Sequence, residues 1–365
     1  MLANAAWRRA MRELTADDIE ALAVGAWILG TGGGGSPYHG LINMRRLYRQ
    51  GTRVFLMDAL ALEDDDDVAV VSNMGAPLVS QERLVDSRLT ARAVELMQEY
   101  LGCRFRGVMS IEIGGGNSIQ PLMAAAHLGI PIIDADAMGR AYPEAQMTTF
   151  AVGNLAPAPL TSVDPRGNEV VVTRAADWKW MERTSRKICT EFGSVAATCK
   201  APRRGIEVKR WAIHGTTTKA IRLGRAVMEA NRRHDDPIDV ILEAERGKRL
   251  FAGKVIEVER RTTEGFLRGS VSIEGERRDR IRINFQNEWV VVWRDRVPLA
   301  TTPELICVLD SDTGEAIGTE MVRYGQRVTI IVLPAPEIFL TPRGLELVGP
   351  RAFGYDIDFR SAFAS

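Results

Sequence analysis

The segment GVMSIEIGGGNSIQPLMAAAHLGIPIIDAD, residues 107–136, decides the fold class. Its first seven residues (107–113) are a mostly apolar run, which indicates a strand, and three glycines follow. A short helix is predicted from Ser118 to Gly129, and a second apolar run at 130–136 predicts another strand. Apolar strands that are joined through helices by short links are typical of parallel βαβ units. The segment therefore predicts a layered α/β sheet.

The same alternation extends towards the N-terminus. RVFLMDA (53–59) and DVAVVS (67–72) are predicted strands, and Gln81 to Leu101 carries apolar residues at helical spacing. Before them, Thr15 is a good N-cap for a helix that Gly30 ends, and Ser36 with Pro37 is predicted to begin the next helix. The N-terminal part of the chain therefore fits an α/β domain.

After about residue 240 the pattern changes to strand-like segments without intervening helices. RIRINFQ (280–286) alternates most clearly, with Ile281, Ile283 and Phe285 on one face. These segments predict a small antiparallel barrel or sandwich. The domains are therefore predicted as 1–240, an α/β domain with the ligand site, and 241–365, a β-rich barrel-like domain whose last residues return to the first domain.

Charge and cysteine content exclude several classes of protein. Lys+Arg and Asp+Glu both number 47, so the balance gives no reason to expect nucleic acid or a membrane surface as partner. The four cysteines have no metal-site spacing and are expected to be reduced thiols. No signal-peptide core and no apolar run of about 18 residues is present. The sequence therefore predicts a cytoplasmic protein, and the β-rich half suggests a homo-oligomer.

The stretch TGGGGSPYHG (31–40) has four consecutive glycines, Gly32 to Gly35, ahead of Ser36. No strand precedes them, which argues against a Rossmann or P-loop nucleotide site. A helix N-terminus directly behind the glycines offers free amides to an anion. We therefore expect this loop to face a substrate, in preference to a purely structural link.

Polar residues follow three of the predicted strands, where ligands collect in an open parallel sheet. Glu112 comes just before GGGNS (114–118), and DADAMGRAYPEAQMTT (134–149) carries several carboxylates and one arginine. The sequence therefore predicts a concave, polar site lined by glycines. Its predicted members are Asn73, Glu112, Gly115, Gly116, Asn117, Asp134, Asp136, Arg140, Glu144 and Gln146, with the loop Gly32–Gly35 and Ser36 closing over them.

The chemistry of these carboxylates stays open at this point. Asp134 and Asp136 could share one divalent metal ion with Glu112, or act as acid and base. Alternatively, one aspartate caps a turn and the other pairs with Arg140. GGGNS is either an anion-binding loop or a tight turn.

Histidine and serine motifs add little. His39 and His214 are further candidates for the site, whereas His127 is expected to be structural. No paired-histidine zinc motif and no G-x-S-x-G nucleophile motif occurs in the sequence.

Seven separated motifs make the chain resemble the DUF917 family, the S-methyl thiohydantoin desulfurase-like proteins. The resemblance implies a three-layer α/β/α N-terminal domain, a mainly antiparallel β-barrel-like C-terminal domain, and an association with hydantoinase and oxoprolinase proteins, one of which is a candidate partner. The motifs are LGTGGGGSPY (29–38), NMGAP (73–77), IEIGGGNS (111–118), DADAMGRAYPEAQMTTF (134–150), IRLGRAV (221–227), FQNEW (285–289) and LVGPRAFGYDIDF (347–359).

The resemblance also implies a reaction, in which water attacks the ring carbon of S-methyl thiohydantoin and methanethiol leaves. Asp134 or Asp136 is then expected to be the base or a metal ligand, and Glu112 and Glu144 the acid or supporting groups. Arg140 and the glycine amides are expected to bind a carboxylate or carbonyl of the substrate. Asn73, Asn117 and Gln146 are expected to orient the ring.

Two functions from different classes remain. The first is a hydrolase that acts on a small cyclic amide or isothiourea, which the carboxylates favour. The second is a non-catalytic ligand-binding or accessory subunit, which the lack of a strong nucleophile or metal motif favours.

Overall fold

The computed structural model describes residues 11–75, 79, 82, 86–263 and 265–364. These residues form two β-sheets with helices around them. The helices are α1 (Ala16–Leu29), α2 (Tyr38–Arg49), α3 (Leu89–Leu101), α4 (Gln120–Leu128), α5 (Thr149–Val152), α6 (Trp178–Glu191), α7 (Gly205–Trp211), α8 (Thr216–Arg233), α9 (Pro237–Glu245) and α10 (Pro342–Val348). Short 3-10 turns lie at Ala59–Ala61, Gly115–Ser118, Glu337–Leu340 and Pro350–Phe353.

The first sheet has a parallel centre and antiparallel flanks. Its strands are β1 (Met11–Glu13), β2 (Phe55–Asp58), β3 (Asp67–Gly75), β4 (Gly107–Ser110), β5 (Ile132–Asp136), β6 (Leu160–Val163), β7 (Glu169–Val172), β8 (Val195–Arg204) and β9 (Ile213–His214). They lie in the order β1-β2-β5-β4-β3-β8-β6-β7, and β9 pairs with β5. β2, β5, β4 and β3 run parallel, whereas β8 is antiparallel to both β3 and β6.

Apolar side chains cover both faces of this sheet. On β3, Ala69 and Val71 join a core with α1, α2, α3, α4 and α8, whereas Val68 and Val70 join a second core on the other face with Phe150 of α5. A strand that is buried on both faces has a continuous apolar sequence, which explains DVAVVS. The predicted three-layer α/β/α arrangement is therefore confirmed.

Several helices and strands begin or end at residues other than those predicted from the sequence. The strand predicted at 107–113 ends at Ser110, because Ser110 Oγ bonds the Glu112 amide and Asp136 Oδ2 accepts from Ile113 N. β3 continues to Gly75, so Asn73 lies within the strand. Helix α2 begins at Tyr38 rather than Pro37. The helix predicted from Gln81 is described from Leu89, and residues 80–81 and 83–85 lie outside the described residues, as do 76–77 of NMGAP.

The second sheet is antiparallel and curls into a half-barrel. Its strands are β10 (Lys248–Thr263), β11 (Phe266–Glu274), β12 (Arg280–Gln286), β13 (Glu288–Arg294), β14 (Val297–Thr301), β15 (Leu305–Asp310) and β16 (Arg327–Leu333), in the order β14-β13-β12-β11-β10-β16-β15. Ile281, Ile283 and Phe285 share the half-barrel core, as their alternation predicts. The predicted barrel-like C-terminal fold is thus confirmed as a half-barrel.

Arg140 is one of the groups that join the two sheets. It follows β5 of the first sheet and is 1% exposed. Its guanidinium donates to the carbonyl oxygen of Trp289 on β13, at 3.2 Å, and to that of Glu304, directly before β15, at 2.7 Å. Trp289 in turn donates its backbone N–H to Thr31 O at 2.9 Å, which holds the glycine loop against β13. The two sheets therefore meet at this loop.

Helices α1 and α8 cross at a pair of glycines. A Cβ atom on Gly25 would collide with the backbone carbonyl of Ala220, and one on Gly224 would collide with that of Ala21. The glycine of the IRLGRAV motif is therefore required by helix packing.

All four cysteines lie within the described residues and are free thiols. In the ranges that the structure describes, no helix is both long and apolar enough to cross a membrane.

Candidate functional site

A cavity of about 120 Å³ lies where the carboxyl ends of β3 and β4 meet the start of β13. We call it the central cavity. Its walls come from both sheets, from the glycine loop between α1 and α2, and from helix α6. It is lined by Gly34, Gly35, Ser72, Asn73, Met74, Gly75, Ile111, Glu112, Asn117, Met138, Tyr142, Pro143, Glu144, Ala145, Glu182, Arg186, Lys200, Asn287 and Glu288.

Glu112 is a buried carboxyl group in the wall of the central cavity. Asn117 Nδ2 donates to its Oε1 at 2.5 Å, and the backbone N–H of Tyr142 donates to its Oε2 at 3.1 Å. Burial raises its pKa to about 7, although the two hydrogen bonds and the charge of Lys200 act in the opposite direction. Glu112 is therefore poised to take up or release a proton near neutral pH.

Glu288 faces the same cavity from the second sheet. It begins β13 directly after Asn287, whose φ of 58° makes the tight turn between β12 and β13. The side chain is 3% exposed, and its Oε2 has no hydrogen-bond partner among the described residues. Burial, and next the charge of Glu112, hold the pKa of Glu288 well above its usual range, which favours the neutral form of the group.

Two basic residues line the cavity, Arg186 on α6 and Lys200 on β8. Arg186 Nε donates to Glu182 Oε1 at 2.5 Å, and Arg186 Nη2 donates to Pro143 O at 2.9 Å. Glu182 also accepts the backbone N–H of Ala145 at 2.9 Å. Burial lowers the pKa of Lys200, and the carboxylates of Glu182 and Glu112 oppose that shift. The cavity thus holds two ammonium or guanidinium groups among its acids.

Two asparagines and a glutamate complete the polar lining. Asn117 Oδ1 accepts the backbone N–H of Asn73 at 2.7 Å, which orients the Asn117 amide towards Glu112. Asn73 Oδ1 is buried without a partner in the described part of the chain. Glu144 Oε2 accepts from Gln146 Nε2 at 2.6 Å. The site can therefore donate and accept hydrogen bonds on several sides of a small ring.

Six of the residues predicted from sequence are brought together in this cavity. They are Gly34, Gly35, Asn73, Glu112, Asn117 and Glu144. Their common signal was a position at the carboxyl end of a parallel strand or in the glycine loop, which is where such a sheet collects its ligands.

Asp134 and Asp136 lie outside the cavity lining and bind the protein's own backbone. Asp134 Oδ1 accepts from the backbone N–H groups of Thr217 and Thr218, so it caps the N-terminus of α8. Asp136 Oδ2 accepts three amides, with Gly139 N at 2.7 Å the closest. Most of the carboxylate oxygens of Asp134, Asp136 and Glu112 accept hydrogen bonds from the protein itself, so the structure does not bring these three residues together as the predicted metal set. In the described ranges, no three His, Cys, Asp or Glu side chains converge in a way that could hold a metal ion.

The other predicted residues serve the loops around the cavity. Arg140 donates to backbone carbonyls at the junction of the sheets. Gln146 supports Glu144 from outside the lining, and Ser36 lies with His39 in a separate groove beside Glu315. Gly116 donates its N–H to Gly35 O at 2.8 Å, and a side chain on Gly115 would collide with the backbone of the glycine loop. Gly32 packs against the Trp289 indole and Gly33 against the Glu288 side chain.

The sequence prediction missed four charged residues of the cavity. Glu182 and Arg186 lie one turn apart on α6, Lys200 lies on β8, and Glu288 begins β13. Of these, only Glu288 had a sequence signal, because it belongs to the FQNEW motif. The other three follow no strand end, and only the three-dimensional packing of α6 and β8 brings them to the cavity.

His127 and His214 also lie away from the cavity lining. Ser87 Oγ lies 2.9 Å from His127 Nε2, and His214 Nε2 lies 3.2 Å from Val208 O. Burial lowers the pKa of His127.

Comparison with known proteins covers nearly the whole chain. The S-Me-THD-like N-terminal domain matches residues 17–174, and the S-Me-THD-like C-terminal domain matches residues 176–362. No curated protein matches the chain. A crystal structure of a protein from Chromobacterium violaceum has the same fold, with a TM-score of 0.81 at 22% identity, over 96% of this chain and 100% of that one. Because both family domains match in order, the chain belongs to the S-Me-THD-like family.

Proposed function

We propose that this chain is a hydrolase that acts on a small cyclic isothiourea or amide, such as S-methyl thiohydantoin, and releases methanethiol and hydantoin. The observation that carries the proposal is Glu112, a buried carboxyl group with a pKa raised to about 7 that lines the central cavity among other polar side chains. General bases work best when their pKa lies near the working pH. Membership of the S-Me-THD-like family supports the same substrate class.

The size of the central cavity supports a small ring as substrate. An apolar cavity of roughly 150 Å³ accepts benzene, and the central cavity measures about 120 Å³. A single five-membered ring is of this size. The polar walls suit a ring that carries N–H and C=O groups better than a hydrocarbon.

The first step forms the new C–O bond. A water molecule attacks the ring carbon that bears the S-methyl group, and Glu112 accepts a proton from that water. The π pair of the C=N bond moves to the ring nitrogen, which takes the proton from Glu112. The result is a tetrahedral carbon that bears a hydroxyl group and the S-methyl group, and Glu112 is a carboxylate again.

Side chains around Glu112 orient the ring for this attack. Asn117 holds Glu112 Oε1 through its Nδ2, so the base is kept in one position. Asn73 has a buried amide oxygen without a partner in the described residues, and this oxygen is suited to accept a ring N–H. Lys200 and Arg186 supply positive charge for a ring carbonyl.

The test measures thiol release from S-methyl thiohydantoin by wild-type protein and Glu112→Gln. We expect kcat to fall roughly 100- to 10,000-fold in the variant, because the amide cannot accept the proton of water. The matched control is Glu304→Gln, since Glu304 is also 3% exposed with a raised pKa but lies outside the cavity lining. The control is expected to keep the wild-type rate.

Two results would contradict the proposal. A wild-type rate in folded Glu112→Gln would place the base elsewhere. Wild-type protein that shows a thermal shift with the compound but no thiol release would favour the ligand-binding subunit instead of the hydrolase.

A further inference from the structure

Glu288 lines the central cavity together with the proposed base. Glu112 follows β4 of the first sheet, whereas Glu288 begins β13 of the second sheet, and both line the same space. Glu112 has hydrogen-bond donors on both oxygens, but Glu288 Oε2 has none in the described ranges. A buried polar group without a partner requires an explanation, and a ligand that completes its hydrogen bond is one.

The charges around Glu288 come from four parts of the chain. Glu112 disfavours its ionisation, whereas Arg140 and the backbone N–H of Gly34 favour it. The charge of Glu288 also raises the pKa of the Tyr142 hydroxyl group, although burial is the larger cause. The other ionisable groups that line the cavity are Glu144, Glu182, Arg186 and Lys200.

Two carboxyl groups in one cavity suit the two proton transfers of this hydrolysis. Glu112 is a carboxylate again after the first step and cannot protonate the departing sulfur, so a second group is needed as the donor. A neutral carboxylic acid can donate a proton where a carboxylate cannot.

We propose that Glu288 is the acid that protonates the departing sulfur atom while Glu112 acts as the base. This inference rests on the hydrolase proposed above.

In the second step the C–S bond breaks, its electron pair stays on sulfur, and the Glu288 proton completes methanethiol. The hydroxyl group on the same ring carbon becomes the C=O of hydantoin, and its proton passes to Glu288. Glu288 is neutral before and after the cycle, and water is the only co-reactant.

The experiment compares two leaving groups in wild-type protein and Glu288→Gln. With the S-methyl substrate, we expect kcat to fall roughly 100-fold or more in the variant, with KM little changed. With an S-trifluoroethyl analogue, whose more acidic thiol leaves as the thiolate without protonation and is small, we expect the variant to keep a rate close to that of wild-type protein. Glu304→Gln, the control used above, is expected to match wild-type protein on both substrates.

Equal losses on both substrates, or no loss on either, would overturn the role of Glu288. The failure of the hydrolase itself is distinguishable, because wild-type protein would then release no thiol from either compound. A merely structural role would lower both rates together and would not depend on the leaving group.

A second measurement needs only wild-type protein, in case Glu288→Gln does not fold. Deprotonation of Glu288 removes the donor, so kcat for the S-methyl substrate should fall as the pH rises through the pKa of Glu288. The S-trifluoroethyl analogue should show no such fall. The same pH profile for both compounds would contradict the proposal.

Discussion

Glu112 and Asp136 have pKa values raised to about 7 for the same reason, which is burial. Their surroundings separate their roles. Glu112 borders the central cavity, whereas Asp136 is 0% exposed and accepts the backbone amides of Ile113, Met138 and Gly139. A raised pKa alone therefore does not mark a catalytic group, because access to a ligand is also needed.

The raised pKa of Glu112 predicts a pH-dependent stability. Its pKa rises from 4.5 to about 7 on folding, so the folded protein binds a proton more tightly than the unfolded chain. Its contribution is fully present below about pH 4.5 and is lost as the pH rises through 7. Relative to Glu112→Gln, wild-type protein should lose about 3 kcal/mol of unfolding free energy over this range. Urea titrations of both proteins at several pH values measure this loss. If the unfolding free energies of wild-type protein and Glu112→Gln change equally with pH, the prediction is wrong.

Single residues show how far the sequence could identify the candidate site. Glu112 and Asn117 were predicted because they follow a strand of the parallel sheet. Asp134 and Asp136 follow another strand of the same sheet, yet they bind backbone amides. Strand position alone could not distinguish the two pairs, since the partners of a carboxylate depend on packing between distant segments.

At the level of elements, the glycine loop is both a cavity wall and a packing contact. Gly34 and Gly35 line the central cavity, while Gly116 donates its N–H to both of their carbonyl oxygens. The sequence offered a substrate-facing loop and a structural link as alternatives. The glycine loop both lines the cavity and makes a packing contact, so the two alternatives do not exclude each other.

Gly34 and Gly35 allow a matched test, because both have a φ of 74°. A Cβ on Gly34 would lie 2.5 Å from Gly114 O, whereas a Cβ on Gly35 has no atom within 4 Å. Gly35→Ala should cost about 1 kcal/mol for its backbone conformation. Gly34→Ala should cost about 2 kcal/mol more, because a backbone must move. Chemical denaturation measures both, and equal losses would contradict the close contact.

The elements themselves were largely predictable from sequence. Apolar runs and alternation predicted β3, β5 and β12, since burial sets these patterns locally. The ends of elements were less accurate. β4 ends at Ser110 because side chains of Ser110 and Asp136 take the next amides.

At the level of the whole molecule, Arg140 connects the two sheets. Its guanidinium lies 4.7 Å from the Tyr142 ring centre. It donates to four backbone carbonyls, those of Ala141, Trp289, Pro303 and Glu304. The planar fork of arginine can satisfy several acceptors at once, whereas a lysine ammonium cannot.

Arg140→Lys should therefore lower the unfolding free energy by about 3 kcal/mol, because buried carbonyl oxygens lose their donors. The control is Arg343→Lys, at an exposed ion pair with Glu346, which should change stability by less than about 0.5 kcal/mol. Denaturant unfolding measures both variants. A loss in Arg140→Lys no greater than in the control would show that the contact contributes little.

Sequence patterns could not predict how the two sheets pack against each other. The composition change near residue 240 predicted a second, β-rich part, and the division at that position stays a prediction. No local pattern indicated that Glu288 would line the same cavity as Glu112, because that arrangement depends on contacts between residues far apart in the chain.

The place of β8 in the first sheet has a consequence for synthesis on the ribosome. β8 lies between β3 and β6, although it is made after both. The hairpin of β6 and β7 therefore has no strand to join until residue 204 has left the exit tunnel. Until then the edge of β3 stays open to other nascent chains, so this interval is when chaperone protection matters most.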